Sequence, residues 1–219
     1  MTRRRAVAAG LGAALVTAIV VAVVASRHHD KTPRRRVTLP SGRGGTPAGD
    51  ALARVLTAEG RHTFHAVYAV QSSSEGGFRD TGGTVELWRK PPRIRQDVVL
   101  TADGQAVKEA AFYTDTGAVS CVRNPGPGWA CHREGTPSES VFDQVEKQAS
   151  GGPVVATNQT IGGRKVQCFG AGSGQTAVEL CATTDGTPVR VTAGVFRYEL
   201  KTLSTSVDDD VFTPPAPVT

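Results

Sequence analysis

Hydrophobic positions along the chain change their period twice. From Ala6 to Ala25 almost every residue is apolar (AVAAGLGAALVTAIVVAVVA), with Arg3, Arg4 and Arg5 before the run and Arg27 after it. At about 1.5 Å per residue such a run spans roughly the 30 Å core of a bilayer, which predicts one transmembrane signal-anchor over 6–25 behind a basic tip at 1–5. From Asp50 to Glu59 the period becomes helical, with Leu52, Val55 and Leu56 on one side and Gly60 as a stop. From Thr63 it becomes two: Phe64, Ala66, Tyr68 and Val70 share one face, and His65, Val67, Ala69 and Gln71 the other. Ser72 to Gly77 breaks the pattern. It resumes at 84–90 and, beyond Pro91 and Pro92, at 94–100, 106–114, 118–122, 165–169, 177–182, 189–193 and 195–203. Ser140 to Gln148, with Val141, Phe142 and Val145, predicts a second helix. Phe196, Tyr198 and Leu200 alternate with Arg197, Glu199 and Lys201, the mark of a sheet buried on one face and wet on the other. The expected architecture is therefore mainly β with two or three helices (α+β), built on an antiparallel sheet of about eight to ten strands.

Residues 26–47 are basic and rich in Pro, Gly, Ser and Thr, which predicts a flexible linker before a folded domain at 48–219. The net charge of +5 misleads, because residues 1–43 hold nine of the 25 Lys and Arg but one of the 20 acids. The folded part is mildly acidic, offers no basic surface for a phosphate backbone, and is not expected to bind nucleic acid. The apolar run exceeds the length of a cleaved secretory signal, which favours an uncleaved anchor. Val23 and Ala25 before Ser26 keep cleavage after Ala25 open. No Cys follows the run, so a diacylglyceryl anchor is excluded. The Arg, Ala, Gly and Val bias with a single Met points to a high-GC bacterium. Basic residues flank the span on both sides, so charge does not orient it.

Cysteine supplies the orientation. Cys121 and Cys131 flank Asn-Pro-Gly-Pro-Gly; Cys168 and Cys181 flank Gly-Ala-Gly-Ser-Gly. Four cysteines allow three pairings, and these turn signals favour a disulfide across each hairpin. The alternative, one zinc site built from all four thiolates, expects paired cysteines two to four residues apart. Disulfides persist in oxidising compartments, which places the domain outside the cytoplasm on a single-pass protein of the cell membrane.

The order of these patterns resembles the LolA-like superfamily of extracytoplasmic lipid and lipoprotein carriers, in a membrane-anchored actinobacterial form. Four stretches carry the resemblance: ALARVLTAEGRHTFHAVYAV, GGTVELWRKPPRIRQDVVL, IGGRKVQCF with the later VELCATTDGTPVRV, and VDDDVFTPPAP. Together they extend over about residues 50–217. The resemblance implies a curved half-barrel with helices on its concave side, and an acyl chain held in the concavity. The candidate lining residues are then Phe64, Tyr68, Leu87, Phe112, Phe142, Phe196, Tyr198 and Leu200. The alternative, that these aromatic and aliphatic side chains form a closed core beneath the helices, stays open.

Catalytic chemistry has no foothold in the sequence. His28 and His29 lie in the linker, His62 and His65 point to opposite faces of a strand start, and His132 follows a paired cysteine. There is no Gly-x-Ser-x-Gly elbow and no phosphate-binding loop. Asp208, Asp209 and Asp210 read as a solvated acidic turn. No catalytic residue, metal or cofactor is expected, and the chain is not read as an enzyme. Two functions follow: a membrane-tethered binding domain for an acyl chain, lipid or lipoprotein, or a non-enzymatic envelope sensor that docks a partner protein through a sheet edge.

Overall fold

The computed structural model of the chain describes residues 46–74, 77–102, 105–114, 117–123, 128–134, 153–172 and 177–219. The basic tip, the apolar span, nearly all of the linker and the helix expected at Ser140–Gln148 lie outside the described residues. Among the described residues no helix is long and apolar enough to cross a membrane.

Helix α1 runs over Pro47–Glu59 and starts three residues before the hydrophobic period does. Thr46 is its N-cap, its hydroxyl accepting the Gly49 N–H at 3.2 Å, and Pro47 supplies the preset φ of a first turn. Both had been read as linker. Eleven strands follow: β1 Phe64–Ser74, β2 Gly77–Lys90, β3 Arg93–Ala102, β4 Gln105–Thr114, β5 Gly117–Arg123, β6 Trp129–Glu134, β7 Val155–Ile161, β8 Arg164–Ala171, β9 Val178–Ala182, β10 Pro188–Ala193 and β11 Phe196–Ser204. A 3-10 turn at Asp210–Phe212 comes after them. The class is mainly β, as expected. Among the described residues, however, the strands number eleven rather than eight to ten, and α1 is the single α-helix.

All eleven strands belong to one antiparallel sheet in the order β6-β5-β4-β3-β2-β1-β11-β10-β9-β8-β7. It is two meanders joined where β1 pairs with β11, and it does not close: β6 and β7 are its two edges. Those edges are the strands that hydrophobic pattern missed. Trp129–Glu134 and Val155–Ile161 are short and largely polar, because an edge strand has no second neighbour demanding apolar contacts. Likewise β2 starts at Gly77, well before the expected Thr84, with the register shifting opposite Val70 and Gln71 of β1.

Register decides which side chains share a face. Ala66 stands opposite Leu87, Tyr68 opposite Leu200 and Val70 opposite Tyr198; Tyr198 in turn faces Val191, and Val191 faces Leu180. This inner face carries the main apolar cluster, and α1 covers it with Ala51, Leu52 and Val55. The helix sits where β1 begins and β2 ends. There the turn before β10 presses against it: a Cβ on Gly186 would lie 2.3 Å from the Glu59 nitrogen. Asp185 shapes this turn by accepting hydrogen bonds from the Thr183 hydroxyl and the Thr187 N–H. Gly186 also holds φ +86°, the left-handed region that a side chain resists. Replacing Gly186 by Ala is expected to lower stability by roughly 2–3 kcal/mol through strain and displacement of α1. Equilibrium urea unfolding checks it, against an undiminished midpoint for Gly170→Ala, where nothing lies within 4 Å and the backbone is not left-handed.

Candidate functional site

The inner face is an apolar strip that runs from α1 toward the opposite end of the sheet. Under the helix it is sealed: Phe64, Ala66, Leu87, Val189 and Leu180 are buried. Toward the other end Val98 and Leu100 of β3, Ala193 of β10 and Phe196 and Tyr198 of β11 pack on the same cluster but stay half-buried. Of the eight candidate lining residues, Phe64, Tyr68, Leu87 and Leu200 lie in the buried part and Phe196 and Tyr198 in the half-buried part. Phe142 falls outside the described residues. Phe112 stands apart. It pairs with Arg95, which pairs with Trp88, so it points to the outer face, into a second cluster with Ala110, Cys121 and Cys131. An apolar residue in a strand reads as inward from sequence, but here the outer face has apolar ground of its own. Val98, Leu100 and Ala193 were not singled out, although Val98 and Leu100 fall in the Ile94, Gln96, Val98, Leu100 alternation.

Polar groups on the inner face gather beneath the end of α1. Glu59 and Arg89 form a buried ion pair, and the Tyr68 hydroxyl donates to the Pro188 carbonyl at 3.1 Å. Burial, and then the negative charge of Glu59, push the Tyr68 phenol far above its ordinary value; burial also raises Tyr198. Neither phenol is placed to serve as a base. Such a face offers contact area and very few directional groups, which suits a flexible apolar chain better than a polar metabolite.

The outer face differs. His65 stacks on Trp88 with ring centroids 4.8 Å apart and donates from Nε2 to the Glu86 carboxylate at 2.7 Å. The Arg95 guanidinium lies 4.7 Å over Trp88 and 5.2 Å over Phe112. Disulfides join Cys121 to Cys131 and Cys168 to Cys181, each pair directly opposite across neighbouring strands, as the turn signals had suggested. The ligand atoms of Cys168, Glu179 and Cys181 lie within 4.8 Å of one another. Both sulfurs are bonded to each other and Glu179 is paired with Arg190, so this is not a metal site as it stands.

No protein-family model matches the sequence, and no curated protein matches it significantly. Comparison with solved structures does find relatives of the fold. The complex of Pseudomonas aeruginosa MucA and MucB matches with a TM-score of 0.50 and 15% identity, over 77% of this chain and 61% of that one. The fold is LolA-like. A second structure, of MucB with the periplasmic part of MucA, gives 0.45 and 17% identity over 73% and 56%. Mycobacterium tuberculosis lipoprotein LppX gives 0.42 and 13% over 74% and 97%. The chain thus spans about three fifths of the MucA/MucB match.

Two outcomes follow for the inner face of this LolA-like sheet. Arg89→Met leaves the Glu59 carboxylate buried without its guanidinium and is expected to cost about 3–5 kcal/mol, with Glu59→Leu/Arg89→Met recovering most of it. Denaturant midpoints of the two variants decide. Because the folded Tyr68 and Tyr198 phenols ionise above the ordinary 10.0, their contribution to stability holds below that pH and is lost as pH climbs past it. Their ionisation, followed by ultraviolet absorbance, is therefore expected to coincide with alkaline unfolding rather than precede it.

Proposed function

We propose that this chain is a membrane-tethered extracytoplasmic domain that binds an acyl chain, as a lipid or lipoprotein, without catalysing a reaction. The half-buried stretch of the inner strip supports this reading most directly. Val98, Leu100, Ala193, Phe196 and Tyr198 continue the core beyond α1 without becoming part of its sealed region. A hydrocarbon laid along them gains about 0.8 kcal/mol for each methylene removed from water. In this reading residues 6–25 are the tether, and the paired cysteines support a domain in an oxidising compartment, at the outer side of the cell membrane.

A second reading, an envelope sensor or interaction domain on the same fold, is supported by the sheet edge at β7 and by MucB having been solved with MucA. The two readings separate by native mass spectrometry of the full chain. The acyl-binding reading expects a bound mass in the lipid range that added fatty acid displaces, on a chain four hydrogens lighter than its reduced form. Leu100→Glu, which sets a carboxylate in the half-buried strip, is expected to weaken fatty-acid binding at least about tenfold, or 1.4 kcal/mol. A folded, lipid-free chain that is indifferent to fatty acid refutes acyl binding.

A further inference from the structure

Residues 205–219 leave β11, cross to the outer face and lie as a strap over β2 to β6. Asp209 pairs with Lys90 Nζ at 3.0 Å and with the Arg93 guanidinium. Arg93 in turn rests 4.7 Å over the Phe212 ring, and the Val211 carbonyl accepts from Arg95 Nη1 at 2.7 Å. Farther on, Ala216 and Val218 pack against the cluster of Ala110, Phe112, Cys121 and Cys131. The strap then joins the sheet. Val218 forms a parallel bridge with Cys131; the Thr219 N–H donates to the Cys131 carbonyl and the Arg133 N–H to the Thr219 carbonyl, each at 3.1 Å.

Two properties of this contact stand out. The floor is organised by its own interactions, not by the strap. Arg95 is fixed by hydrogen bonds of 2.7 and 2.6 Å to Asp97 and by its aromatic neighbours, while the Cys121–Cys131 disulfide ties β5 to β6. The strap, by contrast, is shallow. From Asp208 to Thr219 no residue is buried, and from Thr213 onward exposure alternates, with Pro214, Ala216 and Val218 turned toward the sheet. Its charge contacts are exposed, and exposed ion pairs are weak and screened by salt.

We propose that the outer face is a second binding site: a groove for an extended, acidic and proline-rich segment of a partner protein, filled in cis by residues 209–219. The groove reads four things. Lys90 and Arg93 take an acidic residue, the Arg93 face takes an aromatic ring three positions later, the bed around Phe112 takes alternating small or proline residues, and the β6 edge takes backbone hydrogen bonds. Strand addition at an open edge is a general mode of peptide capture, and a ligand attached in cis competes through its high effective concentration. This site is separate from the inner strip and does not depend on lipid binding there.

The test uses the full chain with Asp209→Lys, a substitution at an exposed side chain that reverses the strap's charge. The probe is a synthetic peptide of residues 206–219. In the variant, amide exchange at Thr219 and Arg133 is expected to speed up at least about tenfold, as for a segment opened locally. Added peptide is expected to restore protection at Arg133 and to bind the variant at least about tenfold more tightly than the wild-type chain, whose strap competes. Lys90→Glu/Arg93→Glu, combined with Asp209→Lys, restores the strap's charge match and is expected to exclude the unaltered peptide. Unchanged exchange at both amides overturns the proposal, as does a freed groove that ignores the peptide or one that binds it equally well in the charge-reversed chain.

Discussion

A sheet that gathers its apolar side chains on one face must cover that face, and among the described residues a single helix does most of the covering. α1 places Ala51, Leu52 and Val55 on the strip formed by β1, β2 and the strands from β11 outward. Its position is set by polar contacts at one end rather than by apolar area, which is indifferent to small displacements. Glu59 pairs with Arg89 of β2, and the turn at Gly186 fits closely beneath the same helical residue. A buried ion pair of this kind adds little net stability over an apolar pair, but it tolerates one geometry. The helix is thereby held to one end of the strip, and the half-buried character of the other end follows.

The two faces of the sheet obey different physics. The inner face is apolar and poor in directional groups, so contact there depends on buried area rather than on direction. The outer face is built from stacked planar groups, with His65, Trp88, Arg95 and Phe112 in register across four strands. It is fixed by charge and hydrogen bonds. The disulfides lie toward the two ends of the sheet, between β5 and β6 and between β8 and β9. Each closes a short loop, a restraint of about 3 kcal/mol on the unfolded chain in the entropy model. They stiffen the outlying hairpins and leave the central strands, where the meanders meet, to be held by the core.

Strong local signals were readable in advance. The alternation of Phe64, Ala66, Tyr68 and Val70, and that of Phe196, Tyr198 and Leu200, each identified an inner face, because the side-chain period of a strand is two wherever one face is buried. The hairpin cysteines were readable because turn residues stood between them. Phe112 was misplaced for a specific reason: alternation tells which residues share a face but not which face is inner. Asp209 was read as part of a solvated run, and all three carboxylates are indeed exposed; what the spacing did not reveal is that Asp209 finds its partners 116 and more positions away on β2 and β3.

The sequence by itself determined the class of the domain, the two disulfides, the apolar run ahead of the domain and the residues of the central inner strands. These depend on neighbours a few positions apart, whose spacing the chain carries explicitly. Tertiary structure alone decided the sheet order, the edge strands, the seat of α1 and the path of residues 205–219 across the outer face. Each of these depends on contacts between segments far apart in the chain, and no local period records which distant strand, charge or turn a residue will meet.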